Sequence, residues 1–456
     1  MVNPDIATAD GERHDIPRIS LALFLAGFST FSLIYCVQPL LPEFSVEFGL
    51  TPASSSLALS LTTALLALSI VCAGMVSEAV GRRGLMFVSM GSAALLNLLA
   101  SFAPNWQTLL VARALEGLVL GGVPAVAMAY LAEEVPQRRL GKVMGLYVGG
   151  TAFGGMMGRV AMGALTEFLS WRAAMGTLSV VAALSALAFI WLLPPSRHFQ
   201  RQPGLNLPYH LAAWKKHLQD ARLRPFFLVG VLCMGTFIAV YNYIGYRLVA
   251  APYRLGQTAL GLIFLAYVFG IFTSSAAGAL VDRLGRARVI GCGALVSFFG
   301  LALTLADGLP LVIAGISLVT VGFFMVHSVA SGAVGRLAQG HKGHASAIYL
   351  LCYYAGSSVL GSAAGALWRF GHWPAVAAFG GLMALGVLGV ALALRAQDSA
   401  APAALQDAGG SARGSAAVQA SRSPVVVASS VSSRSAAPAG RALPSARHAA
   451  SGRSRR

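Results

Sequence analysis

Three ionisable side chains lie well inside long apolar runs of this chain: Arg113, Glu116 and Arg159. A charge held at the centre of a bilayer costs at least roughly 2.5–3.5 kcal/mol, so a charge kept there marks a pathway. Arg113 and Glu116 stand three residues apart, on one face of a helix and within reach of a local ion pair. A carboxyl beside a guanidinium takes up a proton when the pair opens and releases it when the pair closes, which is the chemistry of proton-coupled exchange. The same spacing also suits a static pair that locks its helix to neighbours. Arg159 has three readings: it completes the same cluster, it attracts an anionic substrate, or it snorkels to the membrane interface.

His327 joins Arg113, Glu116 and Arg159 as a proton-handling candidate, because an imidazole ordinarily titrates near pH ~6.5. Around it in the second half lie polar aromatic side chains in apolar runs, of which Tyr241, Asn242, Tyr353 and Tyr354 are the substrate-cavity candidates. Tyrosine and asparagine offer hydrogen bonds beside apolar faces, which suits sugars or amphipathic organic compounds. Helically spaced tyrosines serve packing as well, and a histidine in a helix is often simply hydrogen-bonded.

The elements that must position these residues follow from composition. Charged residues make up 11% of the chain, against about 25% in soluble domains, and the mean hydropathy is +0.71. Twelve stretches reach the ~20 residues needed to cross a bilayer as helices, six in each half. They centre near residues 30, 66, 94, 120, 153, 182, 237, 268, 297, 322, 355 and 385. The fold class is therefore an all-α polytopic membrane protein, and a soluble enzyme is excluded. No paired carboxylates, metal-ligand spacing, Ser/His set or Walker-type phosphate loop is visible, so neither catalysis nor ATP drive is expected. Cys36, Cys72, Cys233, Cys292 and Cys352 all fall in or at the ends of apolar runs and read as small apolar packers. No metal or cofactor is expected.

The two halves repeat one pattern. Gly74, Glu78, Gly81, Arg82 and Arg83 follow the second span, and Gly278, Asp282, Arg283, Gly285 and Arg286 follow the eighth, with Gly74 and Gly278 offset by 204 residues. Trp171 and Trp373, like Tyr147 and Tyr349, are offset by 202. Gly74 and Gly278 are expected where helix backbones approach closely, and Gly81 and Gly285 at tight turns. Asp282 is expected to meet the N-terminus of a neighbouring helix and to bias a conformational equilibrium; a plain topogenic basic loop is the alternative.

Lysine and arginine accumulate in cytoplasmic loops. With the N-terminus inside, nineteen lie on the cytoplasmic side and four, Arg172, Arg247, Arg254 and Arg369, on the other. Both termini are thus expected in the cytoplasm, with the first helix as insertion signal and Trp106, Trp171, Trp368 and Trp373 in the outer aromatic belt. The expected divisions are a cytoplasmic arm at 1–18, a six-helix bundle at 19–194, a cytoplasmic linker at 195–225, a second bundle at 226–396 and a disordered basic tail at 397–456. The linker holds an amphipathic stretch from Leu211 to Leu223 suited to the membrane surface. The tail holds eight arginines in an Ala/Ser/Gly/Pro background, read as solvating or loosely lipid-bound rather than nucleic-acid binding.

Two six-span halves, a basic central loop and the Gly-x-x-x-Asp-Arg-x-Gly-Arg pattern from Gly278 to Arg286 resemble the major facilitator superfamily over residues 19–396. The first copy departs from the pattern with Glu78 and Ala79. Arg113 with Gly117 resembles the superfamily's Arg-x-x-x-Gly element. The glycines from Gly149 to Gly158, followed by Arg159, are similar to the antiporter motif of the twelve-span sugar/drug (arabinose-efflux-like) branch, without its proline. The resemblance implies two pseudo-symmetric six-helix bundles in the inner membrane. It further implies proton-driven efflux of a small sugar or drug by alternating access between those bundles; a monomer is expected, since nothing in the chain demands an oligomer. An importer on the same fold and a transport-deficient sensor are the alternatives.

Overall fold

A computed structural model describes residues 4–196, 199 and 207–420, nearly all of them helical. In the first half, α1 (Pro4–Tyr35) leads through the short α2 (Leu41–Glu47) and α3 (Pro52–Ser55) to α4 (Leu57–Val80) and α5 (Arg82–Ser101). Next, α6 (Trp106–Leu120) and α7 (Gly122–Glu134) form one crossing interrupted at Gly121, followed by α8 (Gln137–Phe168) and α9 (Trp171–Leu192). A linker helix α10 (Leu207–Gln219) precedes the second half. There, α11 (Arg224–Val249) is followed by α12 (Gln257–Leu262), a 3-10 turn (Ile263–Ala266) and α13 (Tyr267–Leu284), which together make one crossing. Then come α14 (Arg286–Leu303), α15 (Leu309–Leu337) and α16 (Lys342–Ala420), the last bent where Gly371 and His372 leave helical geometry.

Among the described residues ten segments are long and apolar enough to cross a membrane. The last of them, 55 residues long, crosses twice through the bend at Gly371 and His372. The 32-residue α8, whose glycines and arginine lower its hydropathy, supplies the remaining crossing. The molecule is an all-α membrane protein of twelve transmembrane helices in two six-helix bundles. Leu68, Leu95, Phe272 and Leu392 are exposed, as side chains facing lipid are. Met1–Asp398 form one compact unit that holds both bundles. Ser399–Arg456 form a second, helical as far as Ala420, and the remainder of the expected disordered tail lies outside the described residues. α1 begins at Pro4, within the segment expected as an arm.

Both repeat motifs end a helix in the same way. Gly81 (φ 99°, ψ 156°) separates α4 from α5, and Gly285 (φ 81°, ψ 154°) separates α13 from α14. That backbone region is essentially reserved for glycine, so each motif turns where a Cβ cannot follow. The close approach expected at Gly74 and Gly278 is absent: a Cβ at either would meet nothing within 4 Å. Close approach occurs elsewhere in the repeat. A Cβ on Gly154 of α8 would collide with the Phe28 carbonyl of α1, and one on Gly356 of α16 with the Val231 carbonyl of α11. These two glycines are offset by the same 202 residues as the tryptophans, so both bundles are built on one small-residue helix contact.

One end of the molecule carries the arginine-rich loops and is termed the basic end; the other is the distal end. At the distal end Trp171 and Trp373 correct the aromatic-belt expectation, because both are buried. The Trp171 indole donates to Glu47 and lies edge-on to Phe44, while Trp373 donates to the Thr304 carbonyl at 3.1 Å. Each therefore fastens a loop to its own bundle. Burial works against the Glu47 carboxylate, but hydrogen bonds from Arg172 and Trp171 prevail and hold it below the usual carboxylate range.

The amphipathic linker helix begins earlier than expected, at Leu207, and docks on protein. His210, Ala213 and His217 form its buried stripe. His210 Nδ1 lies 2.8 Å from His344 Nε2, the Tyr209 hydroxyl 3.0 Å from His341 Nδ1, and Lys216 donates to the Gln339 carbonyl at 3.3 Å. Leu207, Leu211 and Leu218 remain exposed on another face. Burial, reinforced by the positive field of Lys216 and His341 and opposed by the His341 backbone and Asp220, holds His217 below the ordinary histidine value.

Every hydrogen bond between the bundles among the described residues lies in the distal half. Gln38 meets Asn242 at 2.6 Å, Ser45 meets Tyr246 at 2.8 Å, Thr63 meets Ser358 at 2.8 Å and Ser60 meets Ser362 at 2.8 Å. At the rim the Thr258 amide donates to Glu167 at 3.0 Å.

Candidate functional site

Two buried charge centres stand inside the fold, and they are separate. The first is in α6, packed between α1, α4 and α5. Asn105 caps α6 by accepting from the Thr108 amide, and the helix then carries Arg113 and Glu116 inward on one face, both with no exposure to solvent. Arg113 Nη1 donates to Glu116 Oε2 at 2.5 Å. The same guanidinium donates to the Leu33 and Ile34 carbonyls at 3.2 and 2.8 Å, to the Ala58 carbonyl at 3.2 Å and to Asn97 Oδ1 at 3.3 Å. Leu33 and Ile34 lie in the last turn of α1, whose carbonyls have no partner within their own helix. Arg113 thus satisfies a helix terminus and ties four helices together. Glu116 is less well served, since its Oε1 has no hydrogen-bond partner. A buried bare acceptor beside an ion pair is where a proton would add with least rearrangement.

The second centre corrects the reading of Arg159 as part of that cluster and the reading that it snorkels. Arg159 is on α8, fully buried, and its partners differ from those of Arg113. Its Nε donates to Gln38 Oε1 at 2.6 Å and its Nη1 to the Gly155 carbonyl at 2.5 Å. Its guanidinium lies 4.0 Å from the ring centre of Tyr35, 4.9 Å from that of Tyr267 and 5.0 Å from that of Phe264. Nη2 has no hydrogen-bond partner. Three ring faces partly compensate a charge that no carboxylate among these partners meets. Tyr35 belongs to the first bundle, Phe264 and Tyr267 to the second. Asn242, singled out in the sequence, is joined to this centre through Gln38.

Tyr241 is buried, bonded to Thr320 Oγ1 at 2.7 Å and stacked on Phe264 at 5.1 Å, and it lines a small cavity with Gln38 and Phe264. His327 lies half-buried, with Nδ1 2.9 Å from the Tyr349 hydroxyl, its ring parallel to Phe323 and 4.7 Å from Tyr353. Tyr353 is half-buried and sits edge-on to the buried Tyr354 at 5.0 Å. These residues form an aromatic wall of α15 and α16, with His327 a hydrogen-bonded member of it.

The motif loops at the basic end are unequal. Arg82 pairs with Glu133 at 2.7 Å and bonds Ser77, and Arg83 bonds the Ile190 carbonyl, so the first loop is anchored within its bundle. Glu78 is half-buried. Asp282 and Arg283 are exposed, so the expected contact of Asp282 with a neighbouring helix is not made, and Arg286 lies over the Phe226 ring at 5.6 Å. Among the described residues no three His, Cys, Asp or Glu side chains group as metal ligands.

Sequence reasoning missed Gln38, Tyr35, Phe264 and Tyr267. Gln38 had a signal, an amide between Val37 and Pro39 at the end of an apolar run. The three rings had none, being ordinary in such runs.

A family model described as Major Facilitator Superfamily matches residues 23–251 and 244–438. An uncharacterized MFS-type transporter of Bacillus subtilis (strain 168), YybF, is 44% identical over 356 residues, spanning 78% of this chain and 88% of that protein. The inner membrane transport protein YnfM of Escherichia coli (strain K12) is 43% identical over 366 residues, 80% of this chain and 88% of that protein. A crystal structure of a bacterial homolog to the human lysosomal transporter Spinster, in an inward-facing and occupied conformation, superposes with a TM-score of 0.65 at 13% identity. It covers 82% of this chain and 93% of that one, a likeness of fold alone.

Proposed function

We propose that this chain, which belongs to the major facilitator superfamily, exports a small organic solute, such as a sugar or drug, across the inner membrane in exchange for protons. The observation that carries the proton coupling is Glu116, buried beside Arg113 with one carboxylate oxygen unpartnered. Protonation there would weaken the pair and loosen α6 from the end of α1, so proton occupancy and bundle position are linked. The arginine-rich loops support a cytoplasmic position for the basic end, by the positive-inside rule. On this reading the conformer is sealed toward the outside by the distal contacts. Alternating access requires the opposite arrangement as its other state. The glycine-rich α8 leading into Arg159 favours export over import, by its resemblance to the antiporter motif.

The test is solute-induced proton movement in inside-out membrane vesicles with and without the protein, across sugars and cationic drugs. A proton response lost in Glu116→Gln, with solute counterflow retained, is expected. An undiminished proton response in that variant would remove Glu116 from coupling.

A further inference from the structure

The hydrogen-bond directions around Arg159 identify the chemistry of what binds there. A guanidinium only donates. The 2.6 Å contact from Arg159 Nε therefore fixes the Gln38 amide with its oxygen toward Arg159 and its nitrogen toward Asn242. That nitrogen donates at 2.6 Å, which fixes the Asn242 oxygen toward Gln38 and leaves Asn242 Nδ2 pointing away. Both Asn242 Nδ2 and Arg159 Nη2 are buried without a partner. The three-residue chain from α8 through the end of α1 to α11 thus terminates in an orphaned donor at each end and carries a full positive charge. Unmet buried donors are costly, and an acceptor-rich anion relieves the one that carries the charge. The walls are flat and apolar: Tyr35, Phe264 and Tyr267. The chain bridges the two bundles, so whatever satisfies it bears on how they meet.

We propose that Arg159, Gln38 and Asn242 form the solute site and that the exported solute is a carboxylic acid with a flat unsaturated body. Arg159 holds the carboxylate, the amides orient it, and the rings flank its apolar part. This deepens the transporter reading and rests on it.

Purified protein in lipid nanodiscs is titrated with benzoate and cinnamate, and in parallel with benzamide and cinnamamide, by isothermal calorimetry. Proteoliposomes loaded with each compound report proton movement. The acids are expected to bind at least ~10-fold more tightly than their amides. Arg159→Gln is expected to abolish that preference, Arg159→Lys to retain part of it, and Asn242→Ala to weaken acid binding several-fold. Equal binding of acids and amides by the wild-type protein overturns the proposal without recourse to any variant. Proton movement driven by neutral sugars or cationic drugs and unchanged in Arg159→Lys overturns the carboxylate assignment while leaving proton-coupled transport standing. Solute binding with no proton movement for any compound counts against the coupling and leaves the carboxylate site intact.

Discussion

Gly163 of α8 and Gly261 of α12 meet across the boundary between the bundles so closely that a Cβ on Gly163 would stand 2.8 Å from the Gly261 Cα. The contact is backbone against backbone at the distal end. A branched side chain at residue 163 holds the bundles apart there. Gly163→Val is expected to cut solute flux by at least ~10-fold, since wedging a three-carbon side chain against backbone costs about 1–3 kcal/mol. It should also raise outside labelling of a cysteine placed at Thr258. Unchanged labelling would mean that the outer contact is not the seal.

Arg113 is expected to matter for folding more than Glu116 does. Its removal strands the Leu33, Ile34 and Ala58 carbonyls together with a buried carboxylate. Arg113→Ala should cost about 3–5 kcal/mol, the range for breaking a buried pair from one side. Glu116→Gln keeps an acceptor for the guanidinium and should cost clearly less. Unfolding of both variants in detergent by denaturant checks the order.

The motif glycines make a paired prediction. Gly81 and Gly285 hold backbone angles that residues with a Cβ avoid. Gly81→Ala and Gly285→Ala should each destabilise by about 1–3 kcal/mol. Gly74→Ala, at a position with open space around it, should be nearly neutral in stability. Thermal melts of the three variants suffice.

Docking of α10 is expected to depend on pH. His217 is held below its ordinary value when docked, so the undocked linker binds protons more readily. Docking is therefore undiminished above the ordinary value of ~6.5 and weakens as pH falls below it. Hydrogen exchange of Leu207–Gln219 at pH 7.5 and pH 5.5 measures this. Faster exchange at the lower pH is expected, abolished when His210 and His217 are both replaced by Gln.

The crossings were legible because hydropathy and helix length report directly on the bilayer. The glycine run also marked α8 although its apolar content is low. The Arg113 to Glu116 pairing was legible because three residues is a helical neighbour distance wherever the helix packs. What Arg159 touches was not, since its partners come from α1 and the turn after it, the 3-10 turn Ile263–Ala266 and α13, and no local spacing encodes a neighbour so distant in sequence. Trp171 and Trp373 were misplaced for a related reason: a tryptophan at a helix end looks the same whether it faces lipid or fastens a loop. Gly74 and Gly278 carry the repeat pattern, but a repeat does not say what packs against a glycine, and here nothing does within 4 Å of an added Cβ.

The buried bonds that join the bundles, Gln38 to Asn242, Thr63 to Ser358 and Ser60 to Ser362, are all between neutral side chains. A membrane potential acts on charge, at about 2.3 kcal/mol per elementary charge per 100 mV. Breaking these bonds moves none. Parting the bundles at these contacts therefore adds no electrical work of its own.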